Sequence, residues 1–406
     1  MKILSANKFY YVKGGSETYA FGLNKLLEEK GHKVIPFSMQ DSRNFPTPYE
    51  EFFVKNIDYS TGNPLKKILY SLKIIYSLEA KRKIARLLDK ERPDIAHLHL
   101  FQHQLSPSIL PEIKKRGIPI AYTVHDYKPL CPNYKLFSAG KPCEECKGGK
   151  YYHCFFNKCT KDSRAASLVN TIEMYFHRLR NYYNHIDIFI APSDFLRNKM
   201  IDFGFDESKI VHIPNFVNLE ANNFTDKEEG RYFIYFGRLS EEKGIITLVK
   251  AMSKVKEATL LIVGTGPLES EIKQMVKTAK LNNVRLLGFR SGEDLKAIVQ
   301  GSMFSILPSE WYENNPLSIL ESFANTKAVI GSKIGGIPEL IDENVNGLLF
   351  EPGNDEELAE KINYLFSRKK EAAAMGKNAR QKIKNEYNAE KHYEKISEVY
   401  KELLAS

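Results

Sequence analysis

Along this chain, short and nearly continuous apolar runs alternate with stretches whose apolar residues recur every three or four positions. In the first half the runs are KILSAN, HKVIPFSM, DIAHLHL, PIAYTVHD, IDIFIAPS and IVHIPN. Helical periodicity falls between them, near residues 16–30, 65–90, 107–116, 161–184 and 193–203. Runs this uniformly apolar, spaced by helices, predict parallel strands covered on both faces. After Asn215-Phe216-Val217-Asn218 and the polar stretch EANNFTDKEEG the pattern restarts, with RYFIYFG, ATLLIVG, NVRLLGF, MFSILPS, AVIGS and GLLFEP. The expected fold class is α/β, as two Rossmann-like doubly wound domains facing across a cleft, with ligands at the carboxyl ends of the strands. The first domain takes residues 1–214, with a cysteine-rich insertion over 128–160, and the second takes 215–387. The closing helix pattern, residues 388–406, is expected to pack back on the first domain.

Size and composition agree with two cores. The chain has 406 residues, 43% apolar and 27% charged, which suits a folded protein and argues against disorder. No run approaches eighteen consecutive apolar residues, and MKILSANKFYYVKGG lacks the apolar core and cleavage site of a signal peptide, so a cytoplasmic location is expected. The net charge of +9 is uneven. Residues 1–214 carry 33 Lys+Arg against 22 Asp+Glu, and the remainder 26 against 28. A basic half suits an anionic partner such as membrane headgroups, a pyrophosphate-bearing lipid or nucleic acid; the plainer reading is solubilising lysine.

Candidate chemistry concentrates where predicted strands end. The first strand of the second half runs into Phe236-Gly237-Arg238-Leu239 and then Glu241-Glu242-Lys243-Gly244. A guanidinium and an ammonium on one strand-to-helix turn suit a diphosphate, one binding two oxygens and the other acting as a point charge; a surface Arg and Lys is the bland alternative. The next strand ends in Gly264-Thr265-Gly266-Pro267, a turn common to many such units. Further on stands WYENNPLSILESFANTKAVIGSKIGGIPELI. Pro316 favours a helix start, which leaves Glu313 in the loop at its mouth and Glu321 one to two turns inside. A ligand phosphate at that helix end would lie beside the loop carboxylate.

Taken in order, FGRL…EKG, LLIVGTGP, GF, Glu313-x7-Glu321, GGIPELI and NGLLFEPGN resemble the retaining, nucleotide-sugar-dependent glycosyltransferases of the two-Rossmann GT-B fold, the group 1 or family 4 type. The resemblance spans nearly all of the second half and reaches Gly14-Gly15-Ser16-Glu17 and Thr123-Val124-His125-Asp126 in the first. It implies that Arg238 and Lys243 hold the donor diphosphate and stabilise charge growing on the leaving nucleotide. It places Glu313 on the donor sugar's hydroxyls, Glu321 on the ribose, and His125 near the anomeric centre. Backbone N–H groups of Asn315, Pro316 and Leu317 would add to donor binding, as would the Gly264 turn. Gly14 and Gly15 would admit phosphates close to the backbone, and the Gly288-Phe289-Arg290 turn would border the base. One departure stands out: the family's usual glycine is Asn315 here, which bears on sugar identity more than on reaction class.

No metal-binding DxD pattern appears, so two cations and a helix end are expected to replace a divalent ion, and no cofactor is required. A double displacement needs a carboxylate on the far face of the sugar. None is placed there, so retention would proceed by same-face attack, with the leaving phosphate taking the acceptor's proton. The implied partners are a UDP- or GDP-sugar donor and a sugar or polyprenyl-linked acceptor in cell-surface polysaccharide or glycolipid assembly.

All five cysteines lie between Cys131 and Cys159. Cys143, Cys146, Cys154 and Cys159 fit a structural zinc, with His153 spare; reduced thiols, a disulfide or an iron–sulfur cluster are the alternatives. Residues 65–90 put Leu65, Ile68, Leu69, Leu72, Ile75 and Tyr76 on one stripe among lysines and arginines, for core packing or for the surface of an anionic membrane at its inner face. Rival functions are an epimerase of the same fold, a phosphorylase, for which no pyridoxal lysine is found, and a nucleic-acid-binding zinc protein. The last would interleave aromatics with its cations, whereas aromatics here sit in the apolar runs, so no nucleic acid partner is expected.

Overall fold

A computed structural model of the protein describes residues 1–57, 64–219 and 230–405, with the backbone alone for residues 64–68. Most of the EANNFTDKEEG stretch, and the side chains of Leu65 and Ile68, lie outside the described residues. The chain forms two compact units, one of Met1–Ser138, Cys143–Ile213 and Tyr393–Ser406, the other of Ala139–Pro142 and Pro214–His392.

In the first unit the strands are β1 (Lys2–Ala6), β2 (Lys33–Phe37), β3 (Ile95–Leu98) and β4 (Ile120–Thr123). A cysteine-bearing segment follows, with the two-residue strand β5 (Phe137–Ser138), and after it come β7 (Ile188–Ala191) and β8 (Ile210–His212); the two-residue β6 (Lys141–Pro142) between them in the chain is counted with the second unit. Six of them make one parallel sheet in the order β2-β1-β3-β4-β7-β8, with Ile3 opposite both Val34 and Ile95. β3 and β4 are buried along their whole length, as strands covered on two faces must be. The second unit repeats the scheme with β9 (Tyr232–Phe236), β10 (Thr259–Val263), β11 (Val284–Gly288), β12 (Phe304–Leu307), β13 (Ala328–Ser332) and β14 (Gly347–Phe350). Its order is β11-β10-β9-β12-β13-β14, again parallel throughout.

Each sheet reverses its winding direction once. The reversal falls between β1 and β3 in the first unit and between β9 and β12 in the second. Loops leaving neighbouring strands diverge there and open a crevice at the carboxyl edge, where ligands of open α/β sheets bind. The sites below lie at those edges.

Two local expectations change. The helix expected over 65–90 is two helices, Pro64–Ile75 and Leu78–Glu91. Ser77 separates them: its hydroxyl accepts from Ala80 N at 3.1 Å as an N-cap, and its carbonyl accepts from Ser108 Oγ. Apolar periodicity ran through the break because both helices carry it. Pro316 caps rather than opens its helix, which spans Leu317–Ala324.

Candidate active site

In the second unit the loops after β9 and β10 are locked backbone against backbone. Gly237 N donates to Val263 O, Gly264 N to Gly288 O, and Leu239 N to Thr265 O. A Cβ on Gly264 would run into the Gly237 carbonyl, and one on Gly266 into that of Leu239. These glycines therefore serve first to let two loops touch. Past Arg238 the chain makes a single 3-10 turn, Glu241–Lys243, closed by Gly244 at φ 63° with no room for a side chain against the Pro308 carbonyl.

That turn delivers Lys243 to the loop after β12. Its ammonium donates to Glu313 Oε1 at 2.7 Å and stands 5.0 Å from the centre of the Trp311 ring. Ser309 Oγ donates to the same carboxylate oxygen at 2.5 Å. Glu313 is buried, and its main chain is clamped as well: Gly336 N donates to its carbonyl at 2.7 Å, while Gly335, at φ 60°, lies where any Cβ would strike it. The paired glycine thus exists to bring the β13 loop onto Glu313.

Asn315 is held by Asn215 Nδ2, which donates to its carbonyl at 2.8 Å. Its own Oδ1 is buried with no hydrogen-bond partner among the described residues, an acceptor available to a hydroxyl. Asn315 and Leu317 each carry an amide hydrogen at the mouth of the Leu317–Ala324 helix. Pro316 carries none, which corrects the expectation that all three donate. Glu321, in the second turn, has its pKa pushed up to about 7 by burial. Arg238 sits exposed on the β9 loop and makes no ion pair among the described residues. Phe289 offers a ring that is 68% exposed, beside Gly288 at φ 70°.

At the first unit's carboxyl edge, His125 Nε2 lies 3.1 Å from His99 Nδ1, the two rings stacked and Tyr19 edge-on to both. Burial drives His125 down to about 3, so its imidazole is neutral at any ordinary pH. Behind it His97 bridges Thr123 Oγ1 and Tyr400 Oη at 2.7 and 2.5 Å, which ties the closing helix segment to this sheet. Gly14 and Gly15 are exposed at the start of the Gly15–Glu29 helix. The nearest atom to a Cβ on Gly14 would be 3.8 Å away, so packing does not require glycine there.

Sequence reasoning missed several members of these sites. Ser309, Trp311 and Asn215 act on or beside Glu313 and Asn315 but belong to no motif. Lys8 and Glu17 share the first unit's edge with Asp126, and burial lowers the lysine and raises both acids. A polar residue one or two positions past the end of an apolar strand, as at Lys8, His99 and Ser309, is the signal that could have found such members.

The five cysteines converge. Together with Asn133, His153 and Asn157 they line one small cavity of about 10 Å³, room for a single water-sized occupant. Cys131 donates to Asn133 Oδ1 at 3.0 Å, and His153 faces Glu145 at 3.2 Å. Among the described residues no three of the sulfurs lie mutually within 4.8 Å.

Against known proteins, the group 1 glycosyl transferase family matches residues 218–382 and glycosyltransferase family 4 matches residues 13–221. Among curated relatives, an Escherichia coli UDP-Gal:alpha-D-GlcNAc-diphosphoundecaprenol alpha-1,3-galactosyltransferase is 26% identical, over 83% of this chain and 82% of its own. A Bacillus anthracis N-acetyl-alpha-D-glucosaminyl L-malate synthase is 24% identical over 100% and 98%. Among solved structures, sucrose-phosphate synthase from Thermosynechococcus elongatus superposes with a TM-score of 0.76 at 18% identity, covering 100% of this chain and 99% of that one. Anabaena Alr3699/HepE, solved with UDP-glucose, gives 0.71 at 19% identity, over 99% and 100%. These likenesses, at such identity, establish the two-Rossmann fold.

Proposed function

Because this chain belongs to the group 1 glycosyl transferases, with a family 4 amino-terminal half, we propose that it moves a hexosyl unit, with retention, from a nucleotide-diphosphate sugar to a sugar or polyprenyl-linked acceptor. The observation that carries this reading is the Lys243–Glu313 pair beneath Trp311, at the winding reversal of the second sheet. A diphosphate arriving there competes with Glu313 for the Lys243 ammonium, Arg238 closes on its other oxygens, and the amides of Asn315 and Leu317 face it. Glu313, displaced from the lysine but still held by Ser309 and the Gly335-Gly336 clamp, then accepts from sugar hydroxyls. Glu321 accepts from the ribose, and Phe289 lies against the base.

In the transfer itself the bond from the anomeric carbon to the diphosphate breaks as the acceptor oxygen attacks from the same face. The leaving phosphate takes the acceptor's proton. Lys243, Arg238 and the helix amides stabilise the negative charge that grows there, so no divalent ion is needed. His125, being neutral, offers a hydrogen bond rather than a charge.

UDP-sugars are the first donors to test, since HepE is solved with one and the E. coli relative is named for another. That relative's name also supports a diphosphoundecaprenol-type acceptor; surface polysaccharide or glycolipid assembly at the membrane's inner face is the setting such an acceptor would suit. A panel of UDP-, GDP- and ADP-sugars, with EDTA present, is expected to give slow release of nucleoside diphosphate from one donor. Interconversion of one nucleotide sugar into its isomer would instead mark an epimerase, and no release from any donor would sink the proposal.

A zinc ion held by Cys143, Cys146, Cys154 and Cys159 would brace the insertion that follows β4. Four thiolates on one zinc lie about 3.7 Å apart, so the sulfurs must draw together around the ion. About one zinc per chain is expected by elemental analysis, lost on Cys143→Ser and kept on Cys131→Ser. Fully reduced protein with less than about a tenth of an equivalent overturns it.

A further inference from the structure

The helix Arg164–Leu179 is inside out. Its inward face is polar: Ser167, Asn170, Thr171, Glu173 and His177 are buried, with Met174 as the lone large apolar member. Its outward face carries Leu168, Ile172, Tyr175 and Leu179, exposed by 44, 46, 40 and 81%. Steps of four, three and four residues set these four on one stripe. A helix in water buries its apolar stripe, and this one spends its interior contacts elsewhere. Lys128 donates to Glu173 at 2.7 Å, His177 Nε2 meets the Ile75 carbonyl at 2.8 Å, and Asn170 donates to Thr160 at 3.0 Å.

Neighbouring helices expose further apolar side chains. The helix Pro64–Ile75 packs beside it and exposes Leu69 and Leu72, and the helix Tyr152–Phe156 packs on it and exposes Tyr152 and Phe156. Eight large exposed apolar side chains on three adjoining helices exceed the scattering expected of a solvent-facing surface. Charge around them is mainly positive, with Glu145, beside the Tyr152–Phe156 helix, an exposed acid paired to His153. Between residues 158 and 180 the exposed charges are Lys158, Lys161, Arg164, Arg178 and Arg180 against a single acid, Asp162.

We propose that this face of the first unit docks on an anionic lipid surface. The Leu168–Leu179 stripe enters the headgroup boundary, and the five cations rest on lipid phosphates. An apolar stripe rimmed by cations is the composition interfacial helices use, and cations next to an anionic leaflet each add to binding. A second copy of the chain fits less well, because two such faces would oppose their cations. No described helix is long and apolar enough to cross a membrane, so the contact is peripheral. It deepens the proposed setting at the membrane's inner face and rests on that reading, while lipid binding, read without turnover, can fail with donor hydrolysis intact.

The full chain is mixed with vesicles of phosphatidylglycerol and phosphatidylcholine, or of phosphatidylcholine alone, at 0.1 M salt, and separated by sedimentation. We expect at least tenfold stronger binding to the anionic vesicles, weakening several-fold by 0.5 M salt. The triple change Leu168→Ser, Ile172→Ser, Leu179→Ser should lower that binding at least tenfold. The change of Lys158, Lys161 and Arg164 to Gln should lower it about as much while leaving the melting temperature unmoved. Equal partition of the parent between the two vesicle types, or unchanged binding by the Gln variant, overturns the proposal. So does a concentration-dependent dimer that the serine variant dissolves to monomer.

Discussion

The two units solve the same problem at their carboxyl edges by opposite means. In the second, backbone meets backbone: Gly244, Gly264, Gly266 and Gly335 allow loops after β9, β10, β12 and β13 to touch, and two charged side chains, Lys243 and Glu313, are held in the frame that results. In the first, ionisable side chains fill the edge. Lys8, Glu17, His99, His125 and Asp126 crowd it, and the buried Lys128–Glu173 pair underpins it. Glycine contacts fix geometry at little electrostatic cost. Buried charges stay in place only while every partner is present. The second unit's site should therefore be tolerant in stability and intolerant in chemistry, and the first the reverse.

The largest expected stability effect tests that contrast directly. Lys128→Met leaves Glu173 buried without its ammonium, with His103 at 3.6 Å as the remaining partner, and should cost about 3–5 kcal/mol in urea unfolding. A cost below 1 kcal/mol would mean that the pair does not hold the first edge. Next comes Lys243→Ala, expected to lower kcat/KM about 10²–10³-fold, as for loss of one preorganised charge-stabilising donor. A variant as active as the parent would remove the phosphate clamp. Gly244→Ala must adopt φ 63° and push against Pro308, which should cost about 1–3 kcal/mol. Because the turn carries Lys243, donor KM should rise with it.

The smallest effect concerns Glu321. Its folded pKa, about 7, exceeds the unfolded value of 4.5, so the folded form holds the proton longer and stability falls as pH rises through 4.5 to 7. Glu321→Gln should therefore melt with the parent at pH 4.5 and up to about 2–4 °C above it at pH 8, since the group is partly exposed and worth no more than about 1 kcal/mol. Donor affinity should fall in the same variant. A gain at pH 4.5 with none at pH 8 would reverse the assigned sign.

How much was legible follows the same division. The strand-end motifs of the second half named Arg238, Lys243, Glu313 and Glu321, because glycines and cations at turn spacing leave a linear trace. Ser309, Trp311 and Asn215 left none: Asn215 and Trp311 meet groups from distant loops, Ser309 meets Glu313 within its own loop, and no period marks any of them. Apolar period also failed at Ser77, where a cap splits one helical pattern into two.

The sequence by itself determined the two parallel α/β units, the placing of chemistry at strand ends, and the gathering of all cysteines into one segment, because alternation, turn chemistry and spacing are local properties. Tertiary structure decided which side chains meet: Lys243 with Glu313, Gly335 against the Glu313 main chain, five thiols around one void, and the outward stripe of the Arg164–Leu179 helix. That last feature could not be read from periodicity. The apolar and polar faces of a helix look the same on paper whichever of them turns inward, and here the inward contacts of Glu173, His177 and Asn170 set the orientation.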